Sequence, residues 1–334
     1  MASAADIGID LGTSNVLIYA RGKGIVLNEP AVVALERDTR SIRAIGTEAY
    51  RMIGRTPSSI AALRPLREGM VSDFELTSSM LHYFVTQVIG KRMFARPRAV
   101  LSLPSGVNEM EKRSISAIMF EAGARRTQLL DRPVAAAIGA GINITDAYGS
   151  MIVDIGAGMT DIAVLSLGRV IVSDAAKLGG DHFDDAIIRY LRRKHNLLIG
   201  ERTAEELKID IGSARMRGVK LEMDACGRSL VSGLPRAVTV SSEEMIEALD
   251  EPLRDLMSAL HRMIERTPPE LASDIFDEGI TLSGGGAQLF GLDGVISDQL
   301  KIRTTLADEP DLCVAHGLSE LIDDEERYEN IDLV

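Results

Sequence analysis

Apolar positions near the start of the chain come in short dense runs, IGIDL, VLIYA, GIVLN and AVVAL, rich in Val and Ile and separated by turn residues. That pattern predicts β-strands. The spacing changes at 75–90, where Met80, Leu81, Phe84, Val85 and Val88 recur at helical intervals. RAVLSLPSGV (98–107) reads as a buried strand closed by a Pro/Gly turn, and 109–124 as a second amphipathic helix. The pattern then restarts. SMIVDIG and DIAVLSL are strand-like, 184–197 is helical and AVTV (237–240) is a strand. The stretch 241–267 reads as helical, with Pro252 near its middle. Strands alternating with helices predict an α/β fold. No low-complexity linker interrupts the chain, and the Gly-bearing segment 135–150 marks the apparent boundary between two parts.

The restart is also a repeat. GIDLGTSNVLI (8–18) and VDIGAGMTDIA (153–163) both run an apolar strand into an aspartate, then small residues, then a second apolar strand, about 144 positions apart. A length of 334 residues exceeds what one core usually holds, so two related halves are expected. The formal net charge of −12 argues against a general affinity for nucleic acid. Two cysteines, Cys226 and Cys313, and five scattered histidines make neither a disulfide framework nor a zinc cluster, and fit a reducing compartment. No apolar run approaches the ~18 residues that span a bilayer. The start, MASAADIGID, has no basic stretch of a secretory signal, so a cytoplasmic location is expected.

A strand that ends in Asp and turns through glycines into a second strand can grip phosphate. Small residues let the backbone approach an anion, and successive N–H groups in the tight turn point at it. The aspartate can hold Mg²⁺, usually through water. Asp10, Gly12, Thr13, Ser14 and Asn15 fit the first copy, and Asp154, Gly156, Gly158, Thr160 and Asp161 the second. One such hairpin is also simply a tight turn. Two facing each other would clamp a triphosphate from both sides. A third element, GITLSGGGAQLFGL (279–292), reads as strand, glycines, helix, and places Gly284, Gly285, Gly286 and Ala287 at a helix start suited to a ribose or phosphate. In GERTAEELKIDIGSA (200–214), Thr203 and Glu206 predict a capping box and a helix start. Glu205 and Lys208 then share one helix face, which taken alone reads as an ordinary surface ion pair.

Together these four elements resemble the actin-like ATPase superfamily of actin, DnaK-type chaperones and sugar kinases. IGIDLGTSN, GKGIVLNEPAVVAL, MIGRTP, RPLREGMVSDFE, LPSGV, AAAIGAG, SMIVDIG, NLLIGERTAEELK, GLPR, TPPELASDI and GITLSGGGAQL are similar to the MreB family of bacterial actins, Mbl-like paralogues included, over about residues 6–321. The resemblance implies an actin-like (ribonuclease H-like) fold of two duplicated domains, each with a smaller subdomain, and a nucleotide cleft between them. Domain I would be 1–140, with its small subdomain at 31–71, the larger at 1–30 and 72–140, and 308–334 returning to it. Domain II would be 141–307, with its small subdomain at 177–242 and the larger at 141–176 and 243–307. ATP and Mg²⁺ are implied as cofactors. Thr13, Ser14 and Asn15 would touch phosphates, Glu205 and Lys208 would line the adenosine pocket, and Gly284, Gly285 and Gly286 would pack on the nucleotide. The implied partners are further copies of the chain in double filaments, the inner membrane surface, paralogues of the same family and cell-wall elongation membrane proteins. The implied role is cell-shape determination from the inner face of the membrane.

The chain departs from that family at two places. Arg132 stands before Pro133 where the family usually has the Glu that positions the attacking water, and Met159 stands where a Thr hydroxyl is usual. Arginine only donates hydrogen bonds and cannot take a proton from water. Binding parts are kept while hydrolysis parts change, so weak or lost hydrolysis is expected, or a non-hydrolysing paralogue that copolymerises with a conventional relative. Asp131 is a possible substitute base, but an adjacent residue normally points elsewhere. GKRMFARPR (90–98) sets Met93 and Phe94 among Lys91, Arg92, Arg96 and Arg98 with no acid, which suggests a small membrane-insertion loop. Each buried apolar side chain would contribute about 1.5–3 kcal/mol and each base about 1 kcal/mol. Filament avidity would multiply a weak single contact. A sugar-kinase reading would need an extra substrate domain and a chaperone reading a peptide-binding domain; neither is expected here, where the acidic IDDEERYENIDLV follows residue 321.

Overall fold

The computed structural model describes residues 6–90, 96–331 and 333. Met93 and Phe94 lie outside the described residues. The chain opens with β1 (Ile7–Leu11), β2 (Asn15–Ala20) and β3 (Gly24–Pro30). A small antiparallel sheet follows, β4 (Val33–Glu36), β5 (Ile42–Ile45) and β6 (Ile60–Leu63), with α1 (Thr47–Tyr50) inserted. Next come the hairpin β7 (Leu66–Arg67) and β8 (Met70–Val71), then α2 (Phe74–Ile89), β9 (Arg98–Leu103), α3 (Glu109–Glu121), β10 (Arg126–Asp131) and α4 (Arg132–Gly139). The second run starts with β11 (Ser150–Ile155), β12 (Thr160–Ser166), β13 (Arg169–Ala176) and α5 (Gly180–His195). A second small sheet is β14 (Leu197–Leu198), β15 (Glu222–Ser229) and β16 (Pro235–Ser241), with α6 (Glu201–Ile211) between its first two strands. The chain closes with α7 (Ser242–Arg266), α8 (Pro269–Glu278), β17 (Ile280–Ser283), α9 (Leu292–Leu300), β18 (Thr304–Leu306) and α10 (Cys313–Asp323).

The two large sheets repeat one topology. Their orders are β10-β9-β1-β2-β3 and β18-β17-β11-β12-β13. In each, the inner strand pairs in parallel with a crossover strand on one side and antiparallel with its own hairpin partner on the other. Ile7, Ile9, Val153 and Ile155 are fully buried, as strands covered on both faces require. Helices α2 and α3 cover one face of the first sheet, through Phe84 and Met119. Helices α5, α7 and α9 cover one face of the second. Helices α4 and α10 pack against each other in the seam between the sheets. Their shared core joins Tyr19, Val100 and Leu130 of one sheet to Ile152, Ala163 and Leu165 of the other.

Several local expectations change. The boundary segment 135–150 is helical at its start, because Ala135–Ile138 are buried within α4. Pro252 does not break α7; it lies on the buried stripe and only removes one helical donor. The Thr203–Glu206 capping box does not form. The helix starts three residues earlier than that box would place it, with Gly200 as its cap, and Glu206 pairs with Arg202 Nε at 3.0 Å. The glycines after β17 form a single 3₁₀ turn, Gly285–Gln288, and the next helix waits until Leu292, so no long helix dipole is aimed from them. The acidic tail packs back: Ile331 and Tyr328 are buried on the first sheet, and Glu325 bonds Arg98 and Arg21. Arg98 therefore leaves the basic run 91–98, its charge taken by Glu325 (2.6 Å) and Asp6 (3.3 Å).

Candidate functional site: a cleft between two matching hairpins

The hairpins superpose residue for residue. Four residues separate the last strand pairs, Leu11↔Val16 and Ile155↔Thr160. Each turn is closed by the same bond, Gly12 N to Asn15 O (3.0 Å) and Gly156 N to Met159 O (2.9 Å). Met159 thus stands at the position of Asn15. The strand-end aspartates are anchored alike. Ser102 Oγ of β9 donates to Asp10 Oδ1 (3.0 Å) and Ser283 Oγ of β17 to Asp154 Oδ1 (2.9 Å). Each serine sits opposite its aspartate in the parallel register. Both carboxylates are buried yet line one cleft of about 580 Å³ between the sheets.

The turns approach each other closely. Gly69 N in the β7–β8 turn donates to Thr13 Oγ1 (3.0 Å). A Cβ on Gly158 would lie 2.8 Å from that oxygen and 2.9 Å from Glu68 N. Lys177 Nζ spans the same place to Glu68 (2.8 Å). Met159, half-buried, reaches over to Gly69: a Cβ on Gly69 would meet its Sδ at 2.9 Å and Pro104 Cγ at 3.0 Å. The expected hydroxyl position is therefore filled by an apolar bridge between the halves.

Of the expected site residues, Asp10, Thr13, Ser14, Asn15, Arg132, Asp154, Gly156, Gly158, Met159, Asp161, Glu205, Lys208, Gly284, Gly285 and Gly286 line the cleft. Two do not. Thr160 is fully buried and its hydroxyl donates to Leu178 O (2.7 Å), so it holds β12 to the chain before α5. Ala287 is buried in the second core. The three glycines also divide. Gly284 and Gly286 press on β11, where a Cβ would lie 2.3 Å from Ile155 O and 2.7 Å from Ile155 Cγ2, respectively, whereas a Cβ on Gly285 meets nothing within 4 Å. Glu205 and Lys208 do not pair with each other. Tyr50 Oη donates to Glu205 (2.6 Å) across the cleft mouth, and burial with this bond pushes the phenol up to about 12. Lys208 Nζ donates to Asp184 (2.8 Å) and Gly180 O (3.1 Å), and burial still pushes Asp184 up to about 7.

Arg132, the first residue of α4, turns inward. Its Nη2 donates to Asp10 Oδ1 (2.5 Å) and Leu11 O (3.2 Å), and Nη1 lies 3.7 Å from Asp154 Oδ2. The guanidinium therefore stands between the two aspartates expected to hold Mg²⁺. Among the described residues no three acidic, His or Cys side chains converge as a metal site. A divalent ion shared by Asp10 and Asp154 does not fit this arrangement, because the cation already there would have to leave. Asp161 accepts from Ser105 N (2.7 Å), and burial, opposed by Arg132, pushes its carboxyl to about 7.

Sequence reasoning missed Tyr50, Ser102, Asp184, Arg217 and Phe290. Arg217 stacks on the Phe290 ring at 3.9 Å and donates to Gly212 O (2.8 Å), closing the cleft beside Ile209. Nothing local marks these residues; only Ser102 and Ser283 share a signal, a serine in the strand beside each aspartate.

A profile of the MreB/Mbl protein family matches residues 4–330. The cell shape-determining protein Mbl of Bacillus subtilis (strain 168) is 46% identical over 320 residues, covering 96% of each chain. The cell shape-determining protein MreB of Escherichia coli (strain K12) is 47% identical over 317 residues, 93% of this chain and 91% of that protein. MreB5 of Spiroplasma citri bound to AMPPNP matches with a TM-score of 0.94 at 36% identity, covering 99% of both chains, and its ADP-bound form with 0.92 at 37%, covering 96% and 98%. A MamK double helical filament, at 21% identity and a TM-score of 0.82, shares the fold. The fold is actin-like, and the chain belongs to the MreB/Mbl family of cell shape-determining cytoskeletal proteins.

Proposed function

We propose that this chain binds ATP in the cleft, polymerises into filaments on the inner face of the cell membrane, and determines cell shape by guiding cell-wall synthesis. The observation that carries the nucleotide reading is the pair of matching hairpins, each with a serine-anchored aspartate, facing one cavity. Relatives at 36–37% identity bound to ADP and AMPPNP support it. The duplicated sheets, each with its own core beside the shared seam, support the division into domain I (1–140) and domain II (141–307), with α10 returning to the first. Thr13, Ser14, Asn15, Gly156 and Gly158 are the phosphate-side groups. Glu205, Lys208, Arg217 and Phe290 form the far wall, where a base and ribose fit. Filament formation follows from family membership. Membrane attachment through Met93 and Phe94 rests on their apolar character within the basic run.

Slow hydrolysis is part of the reading. Arg132 offers only donors, and Met159 is packed against Gly69 instead of presenting a hydroxyl. Calorimetry with ATP tests the binding site, with Gly285→Asp as the probe. That position is open, so the fold should survive while a carboxylate enters the cleft, and affinity should drop by about tenfold or more. An unchanged affinity removes the third loop from the site.

A further inference from the structure

The sharpest disagreement between expectation and structure lies where a divalent cation was expected. The Asp10–Arg132–Asp154 group is built, not incidental. The side chains are 8%, 12% and 2% exposed. Both aspartates are fixed by serines from neighbouring strands. Arg132 is fixed in turn by Pro133 behind it and by α4, whose Ala135 and Gly139 touch the backbone of α10. A buried charge of this kind is kept only when compensated; the aspartates compensate Arg132, while burial still pushes the Asp154 carboxyl up against the pull of the arginine. The Asp10, Asp154 and Asp161 carboxylates oppose the burial penalty on the guanidinium and hold its proton more firmly than in an exposed arginine.

We propose that the Arg132 guanidinium takes the place of the divalent cation at the phosphate end of the cleft, so that this chain binds its nucleotide with little dependence on Mg²⁺. The inference rests on the nucleotide reading above. Nη2 is committed to Asp10 and Leu11. Nη1, at 3.7 Å from Asp154, is in ion-pair but not hydrogen-bond range, so its donors are available to a phosphate oxygen entering the cleft. An N–H of a guanidinium makes a charge-assisted hydrogen bond to a phosphate oxygen. Mg²⁺ in its place would need near-octahedral oxygen ligands and would have to lose tightly held water beside a fixed positive charge. Without the guanidinium, Asp10 and Asp154 would face an incoming triphosphate as uncompensated negative charges.

Charge arithmetic makes the idea testable. Arg132→Glu lowers the local charge by two units, the amount that one Mg²⁺ restores. The experiment measures ATP affinity in saturating Mg²⁺ and in EDTA, and thermal melting of nucleotide-free protein with and without Mg²⁺. Wild type, Arg132→Glu and the neutral Arg132→Met are compared. For wild type, affinity should differ by less than about threefold between the two conditions, and Mg²⁺ alone should leave melting unchanged. Arg132→Glu should bind ATP well only with Mg²⁺, by about tenfold or more, and Mg²⁺ alone should raise its melting temperature. Arg132→Met should lose affinity in EDTA, and it keeps the test open if the glutamate variant fails to fold. A wild-type affinity that falls about tenfold in EDTA overturns the proposal, as does an Arg132→Met variant that binds in EDTA like wild type. If wild type binds no ATP in either condition, the nucleotide reading fails. The melting arm then still decides: a Mg²⁺-induced rise in wild type overturns the cation replacement.

Discussion

Gly317→Ala should destabilise this protein, although an alanine inside a helix normally helps. Gly317 lies in α10 and faces α4. An added Cβ would sit 1.8 Å from Ala135 O, 2.7 Å from its carbonyl carbon and 3.0 Å from its Cα. Every obstructing atom is backbone, so no side chain can rotate away. Restoring ordinary contact requires the helices to part by roughly 1.5 Å. Propensity alone would favour alanine by about 1 kcal/mol. Overpacking a tight core costs about 1–3 kcal/mol, sometimes more, and a backbone clash belongs at the upper end. The net loss should be about 1–2 kcal/mol or more, or roughly 1–2 °C in melting temperature per kcal/mol for a chain of this size. Gly139→Ala makes the reciprocal clash, 1.8 Å from Cys313 O. Because one separation relieves both, the double variant should lose less than the sum of the singles. Gly218, with nothing within 4 Å, supplies the alanine control. Urea denaturation followed by far-ultraviolet circular dichroism gives the midpoints. A Gly317→Ala midpoint equal to or above wild type would refute the close approach of α4 and α10, and with it the support that fixes Arg132.

Arg132→Glu combined with Met159→Thr should raise phosphate release in Mg²⁺ well above wild type, since a positioned general base commonly contributes about 10²–10⁴-fold; equal turnover would show that these positions do not control hydrolysis. The carboxyls of Asp161 and Asp184, both pushed to about 7 by burial, predict a pH effect of defined sign. Their folded-state values are raised, so their stabilisation is complete below the unfolded value near 4 and is lost as pH rises through about 7. The urea midpoint should therefore fall between about pH 5 and pH 8.5, less steeply in Asp161→Asn, and a flat wild-type profile would contradict the assignment. Met93→Ser with Phe94→Ser should abolish co-sedimentation with anionic liposomes while filaments persist in solution; pelleting equal to wild type would place membrane contact elsewhere.

The sequence by itself determined the alternation of strands and helices, the duplicated hairpin and the family, because strand propensity, helical periodicity and Asp-Gly turns are local signals. Helices at 74–89 and 109–121 and the strands of both hairpins fall where the apolar spacing put them. Local rules misled where tertiary contacts compete. Thr203 and Glu206 matched a capping pattern, but the helix begins at Glu201 and Arg202 takes Glu206. Arg98 looked free of acids because Glu325, its partner, is 227 positions away. Thr160 looked like a ligand residue, yet its strand position buries the hydroxyl against Leu178 O. Arg132 shows the division most clearly. The sequence established that a donor-only side chain stands where a carboxylate is usual. Only the folded chain decided where it points, because the contact of α4 with α10 and the parallel register of β9 and β17 with the two aspartate strands bring Asp10, Arg132 and Asp154 together from distant parts of the sequence.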